Sequence, residues 1–170
     1  MQNKLTSEFV KEILHYDKTT GIFTWKSRAN ASKTWNTRYS SKTAGRLRGD
    51  GYWELIINKR YYLASRIAWL YMTGIWPSEQ IDHIDRDRSN NSFYNLREAT
   101  SCQNQCNKGK PVCNSTGYKG VTKNKYDRFV ARIKIEKFHK HFGTFSTAED
   151  AYKAYCQATT QYHGEFARLA

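Results

Sequence analysis

The stretch IDHIDRDRSNNSFYNLREATSCQNQCNK, residues 81–108, decides how this chain is read. Ile81, Asp82 and His83 fit the end of a short strand, and a loop rich in Asp, Arg, Ser and Asn follows. The chain is then expected to turn helical from about Tyr94 to Cys106. Asn95 lies 13 residues beyond Asp82, and Asn104 lies 22 beyond it on the expected helix. A strand, loop and helix with this spacing can gather four polar groups at one small site. Phosphodiester hydrolysis needs a cation to neutralise the phosphate and leaving oxygen, and a base to deprotonate the attacking water. Asp82 and Asn104 offer hard oxygen ligands suited to Mg2+ or Mn2+, and His83 has the ordinary pKa of a base at neutral pH. Asn95 is expected to orient the imidazole by a hydrogen bond or a carbonyl contact. His15, His139, His141 and His163 have no comparable partners in the sequence and are left out of catalysis.

The rest of the chain supports a polyanionic partner. Lys and Arg number 28 against 15 Asp and Glu over 170 residues, a formal charge of +13. That excess favours nucleic acid. With 39% hydrophobic and 15% aromatic residues the chain is apolar enough to fold rather than stay disordered. The N-terminus lacks an apolar signal-like core and no stretch approaches bilayer-spanning length, so a cytoplasmic protein of a bacterial or phage-infected cell is expected, with no membrane contact. Cys102, Cys106, Cys113 and Cys156 lack paired CxxC spacing, so free thiols and no structural zinc are expected.

Three segments differ in pattern. Residues 1–79 are expected to form a small region of helix and β-hairpins: a helix near Phe9 to Leu14, a turn at Asp17 to Gly21, and a strand at Ile22 to Trp25. Lys26 to Lys42 is read as a loop. Three short antiparallel strands are expected from Ala44 to Leu63, and a helix from Ala64 to Met72. Residues 80–108 hold the candidate site, and residues 109–116 a linker. In the third segment, 117–170, alternation in Arg128 to Ile135 puts Phe129, Ala131, Ile133 and Ile135 on one side and Arg128, Val130, Arg132 and Lys134 on the other. Ser146 and Glu149 are read as a capping box opening a helix with Ala148, Ala151, Tyr152, Tyr155, Ala158 and Tyr162 on one side. The fold class is therefore α+β.

Two family resemblances sharpen this reading. Residues 81–108 resemble the HNH motif of the ββα-metal nucleases, in the phage and intron-encoded homing-endonuclease branch. The resemblance implies a DNA endonuclease in which His83 is the general base, Asp82 and Asn104 bind the metal, and Asn95 orients the base. It makes residues 1–108 an HNH endonuclease domain. The lead-in YYLASRIAWLYMTGIWP is similar to that of the same nucleases, except that Ser65 stands where they usually have His.

Residues 117–169 resemble an AP2 domain, a three-stranded antiparallel sheet packed on one helix. The likeness is carried by Gly117-Tyr-Lys-Gly-Val121, Phe129-Val-Ala131, Phe142-Gly-Thr-Phe145, Thr147-Ala-Glu-Asp-Ala151 and Gly164-Glu-Phe-Ala-Arg168. It implies that Lys119, Thr122, Asn124, Tyr126, Arg132, Lys134, His139 and His141 contact double-stranded DNA. The protein is expected to act as a monomer.

Overall fold

The computed structural model describes residues 5–107, 114–135 and 138–167. Arg168, part of the AP2 likeness, and Cys113 lie outside the described residues, as does most of the expected linker. The chain divides into two compact units, Met1–Ala99 and Thr100–Ala170. Each has its own apolar core.

In the first unit, Thr6 caps helix α1 (Ser7–Ile13) by accepting the Phe9 N–H on its hydroxyl. Val10 and Ile13 are buried against the rest of the core. The chain leaves α1 straight into β1 (Leu14–Tyr16), which pairs antiparallel with β2 (Phe23–Trp25). The connecting turn is built by Asp17, whose Oδ1 accepts the Thr19 and Thr20 N–H groups. Strand β1 lies on residues expected to end the helix.

Lys26 to Lys42, read as a loop, contains helix α2 (Lys33–Tyr39). It has no continuous apolar stripe for periodicity to detect; Ser32 caps it by accepting the Trp35 N–H, and Asn36 ties it to Arg28. The three strands expected from Ala44 to Leu63 are present as β3 (Arg46–Leu47), β4 (Trp53–Ile57) and β5 (Arg60–Leu63), in the order β3-β4-β5. Asn58 and Lys59 both adopt positive φ, the geometry of a tight two-residue hairpin turn. Helix α3 (Ala64–Thr73) buries Ala64, Ile67, Ala68 and Leu70 in a core shared with Leu55 and Ile57 of β4. It stops at Gly74, whose N–H bonds back to the Leu70 carbonyl.

The remainder of this unit presents the candidate site. Strand β6 (Gln80–His83) pairs antiparallel with β7 (Leu96–Ala99). Arg66 of α3 donates to the carbonyls of Pro77 and Glu79, and Glu98 accepts from the Ser78 and Glu79 backbone, so the entry to β6 is held from two sides. The helix expected from Tyr94 is corrected here. Phe93–Asn95 is a 3₁₀ turn, Leu96–Ala99 is the second strand, and helix α4 is only Ser101–Asn107. Its start was written in the sequence. Thr100 and Gln103 form a reciprocal capping pair: Thr100 Oγ1 accepts the Gln103 N–H, and Gln103 Oε1 accepts the Thr100 N–H.

The second unit contains a three-stranded antiparallel sheet, β8 (Val121–Lys123), β9 (Phe129–Ile135) and β10 (Phe138–Phe145), in the order β10-β9-β8. Helix α5 (Ala148–His163) packs on it, with Ala151, Tyr155 and Ala158 against Val121, Ala131 and Ile133. Its cap is Thr147, not Ser146: the Thr147 hydroxyl accepts the Asp150 N–H and donates to the Asp150 carboxylate. Gly120 allows this packing, because a Cβ there would lie 2.0 Å from the Tyr155 ring. Val130, on the basic parity of β9, is nevertheless buried, while Tyr162 is 39% exposed.

Candidate active site

Asp82 and His83 end strand β6 and are almost fully buried, at 5% and 4% exposure. Antiparallel register sets Asp82 directly opposite Arg97. The Arg97 Nε and a terminal nitrogen both meet Asp82 Oδ2, at 3.0 and 2.9 Å. This charge-assisted contact fixes the carboxylate's orientation. The sequence alone gives Arg97 no role of its own; that role follows from the register of a strand expected to be helix.

His83 is held by Asn91. The imidazole Nε2 lies 3.3 Å from Asn91 Oδ1, and the Asn91 amide nitrogen donates to the Ser89 carbonyl. With the amide oriented by Ser89, Asn91 Oδ1 can accept from Nε2 in the tautomer that leaves Nδ1 as the basic nitrogen. Burial lowers the His83 pKa below its ordinary 6.5, opposed by the Asn91 hydrogen bond and by the negative charges of Asp85, Asp82 and Asp87. The lowered pKa favours the neutral ring, the form in which an imidazole can take up a proton. Hydrogen bonds from Ser89 hold Asp87 below the usual carboxylate range, so it keeps its charge.

Asn95 does something other than expected. Its amide nitrogen donates to Asp85 Oδ1 and to the Asn90 carbonyl, both at 2.9 Å, and its Oδ1 accepts the Asp85 N–H at 3.0 Å. Its backbone carbonyl accepts the Ile84 N–H. All of these contacts cross the loop between the strands and none reaches the imidazole. Asn95 braces the loop, and the side chain beside the ring is Asn91. The two lie four residues apart in an Asn-rich loop, where spacing alone could not separate the roles.

The Asp17–Gly21 turn grips the same loop. Lys18 O accepts from Phe93 N at 2.9 Å and from Ser92 Oγ at 3.2 Å, and Tyr16 donates its hydroxyl to Asn91 O at 2.7 Å. Gly21, at φ +74°, is pressed so close that a Cβ would lie 2.2 Å from the Asn91 carbonyl carbon. Tyr52 adds a ring 6.0 Å from His83, and Arg88 stacks over Tyr52 while donating to the Asp50 carbonyl.

Asn104 lies half-buried on α4, within the second unit, where its N–H caps back to Thr100 O. Ser65 is buried in the first turn of α3 at 2% exposure. Among the described residues no cluster of three or more His, Cys, Asp or Glu side chains could hold a metal ion. The Asp82 carboxylate is an oxygen donor of the hard kind that Mg2+ accepts.

The residues expected to meet DNA fall into three groups. Thr122, Arg132, Lys134, His139 and His141 are exposed on the sheet, where Lys134 pairs with His139 and Arg132 with His141 across β9 and β10. Tyr126 projects from the β8–β9 turn at 72% exposure. Asn124 builds that turn, its Oδ1 accepting the N–H groups of Tyr126 and Arg128, and Lys119 lies half-buried in the chain before β8.

Comparison with known proteins finds a family match around β6 and β7. Residues 62–106, which include α3, β6, β7 and most of α4, match a family model described as HNH endonuclease. The chain is also similar to a protein of Acanthamoeba polyphaga mimivirus described as an uncharacterized HNH endonuclease, 34% identical over 99 residues. The match covers 58% of this chain and 51% of that relative, so the chain spans about half the length of the curated protein it matches. No solved structure matches significantly. No described helix is long and apolar enough to cross a membrane.

Proposed function

We propose that this protein is a metal-dependent DNA endonuclease that hydrolyses phosphodiester bonds with His83 as general base. The observation that carries the reading is a buried imidazole held through Nε2 by Asn91, at the end of strand β6 inside the HNH match. Asp82 would hold the cation, Mg2+ or Mn2+, and Asn104 is assigned as second ligand on motif spacing alone. When bound, the cation supplies charge neutralisation at the phosphate and the leaving oxygen. His83 takes the proton of the attacking water at Nδ1 while Asn91 keeps the ring from turning. Arg97 holds the Asp82 carboxylate in position, and Asn95 keeps the loop in the shape that presents Asn91.

The C-terminal sheet is proposed as an AP2-like DNA-binding module that grips double-stranded DNA through Arg132 and Lys134, with Thr122, Tyr126, His139 and His141 around them. The three-stranded sheet on one helix and the exposed basic pairs of β9 and β10 support this. On the HNH resemblance the enzyme is of the phage or intron-encoded homing type, and it is proposed to act as a monomer. Purified protein with Mg2+ or Mn2+ is expected to convert supercoiled plasmid to nicked or linear form. His83→Ala is expected to lower the rate by about 10²–10⁴. Undiminished cleavage by that variant would remove His83 from the reaction.

A further inference from the structure

The first unit carries a concentration of charge that the proposed chemistry does not use. Residues 26–49 contain seven Lys and Arg and no Asp or Glu. That local +7 is more than half of the whole chain's +13. The segment folds around α2, well before the motif in sequence.

Among the described residues, four of these cations have no anionic partner. Arg46 and Arg48 pair with Glu54, and the Lys26 ammonium donates to the Lys11 carbonyl. Arg28, Lys33, Arg38 and Lys42 have no ion pair or side-chain hydrogen bond among the described residues. Lys33, Arg38 and Lys42 are exposed.

Arg28 is held in place by aromatic rings. Its guanidinium carbon lies 3.8 Å from the Trp35 ring centre and 5.7 Å from that of Trp25, and the two indoles meet edge to face at 5.6 Å. Its Nε is buried with no hydrogen-bond partner. Both Asn36 amide groups bond the Arg28 backbone, so the residue is fixed at main chain and side chain alike. A guanidinium stacked this way keeps its planar fork of donors and loses little entropy on meeting a phosphate. Mutual repulsion among uncompensated cations is relieved by a polyanion.

We propose that the α2 segment is a second DNA grip, in which Arg28, Lys33, Arg38 and Lys42 contact the phosphate backbone of duplex DNA independently of the C-terminal sheet. The contacts position rather than specify, because phosphates carry no direct sequence information. The inference rests on DNA being the substrate.

The test is equilibrium binding of the full chain to a long duplex across a salt series, with single-turnover cleavage measured alongside. Replacing all four residues by Gln is expected to weaken binding roughly tenfold or more and to reduce the salt slope by about 3–4, near 0.9 per lost phosphate contact. The cleavage rate at saturating DNA should be unchanged. The exposed triple variant Lys33→Gln, Arg38→Gln and Lys42→Gln guards against misfolding by loss of the Arg28 stack, and should lose proportionately less slope. Arg28→Lys, which keeps the charge but not the planar fork, should fall between. An unchanged slope in the quadruple and triple variants, with cleavage intact, overturns this grip while leaving the nuclease reading standing. Failure of the unaltered protein to bind duplex, or a clear preference for single-stranded RNA, overturns both.

Discussion

The ribbon β6–β7 and the sheet β8–β10 both display polar side chains from short antiparallel strands, yet they treat them in opposite ways. On β6 the polar groups are buried and engaged: Asp82 by Arg97, His83 by Asn91. On β9, Arg132 and Lys134 stand in solvent with no ion pair among the described residues. Burial makes a misplaced polar group costly, so the first arrangement holds its geometry and shifts the His83 pKa. Exposure leaves the second arrangement's cations solvated, the state in which a cation can exchange counterions for phosphates. On the proposed function, the difference separates a site suited to reaction from a surface suited to attraction.

If that contrast is right, substitutions on the ribbon should act through stability and rate. Arg97→Ala leaves the buried Asp82 carboxylate without its cross-strand partner and is expected to cost about 3 kcal/mol in a denaturant titration. A near-neutral result would mean that Asp82 does not depend on the pair. Gly21→Ala forces a Cβ into the Asn91 backbone from a left-handed conformation. It is expected to cost about 2 kcal/mol and to slow cleavage by displacing Asn91. Retained activity in a folded Gly21→Ala protein would show that the loop position is not critical.

The smallest effect is on pH. His83's folded pKa is lowered, so the folded state resists protonation, and cleavage should persist below pH 6.5 before falling as the ring takes up a proton. The stability associated with a neutral His83 is present above its ordinary value and is lost as pH drops below it. Asn91→Asp places a carboxylate on the ring and should move the acid limb of the pH–rate profile upward by about one pH unit. A limb that stays put would separate Asn91 from the titrating group.

What could be read in the sequence follows the same division. Hydrophobic alternation and turn residues marked the strands from Ala44 to Leu63 and the basic face of β9, because those features repeat along the chain. Strand β7 was read as helix: Leu96–Ala99 is four residues long, too short for a period to declare itself, and its identity depends on pairing with β6. Helix α2 was missed because its fixings are Asn36 and edge-to-face indoles rather than an apolar stripe. Asp82 and His83 were legible as chemistry-bearing residues. The exchange of roles between Asn91 and Asn95 was not, since both are Asn in one loop and only the hydrogen-bond geometry separates the ring's partner from the loop's brace.

The central claim, a reacting ribbon and a gripping sheet with separate duties, is tested most directly on one DNA duplex by measuring dissociation constant and single-turnover rate for two variants. His83→Ala is predicted to bind with unchanged affinity and salt slope while its rate collapses. Arg132→Ala with Lys134→Ala is predicted to bind more weakly with a slope reduced by about 2, while cleaving at the normal rate once saturated. A His83→Ala protein that cleaves normally, or an Arg132/Lys134 variant whose affinity and slope do not change, would contradict the account.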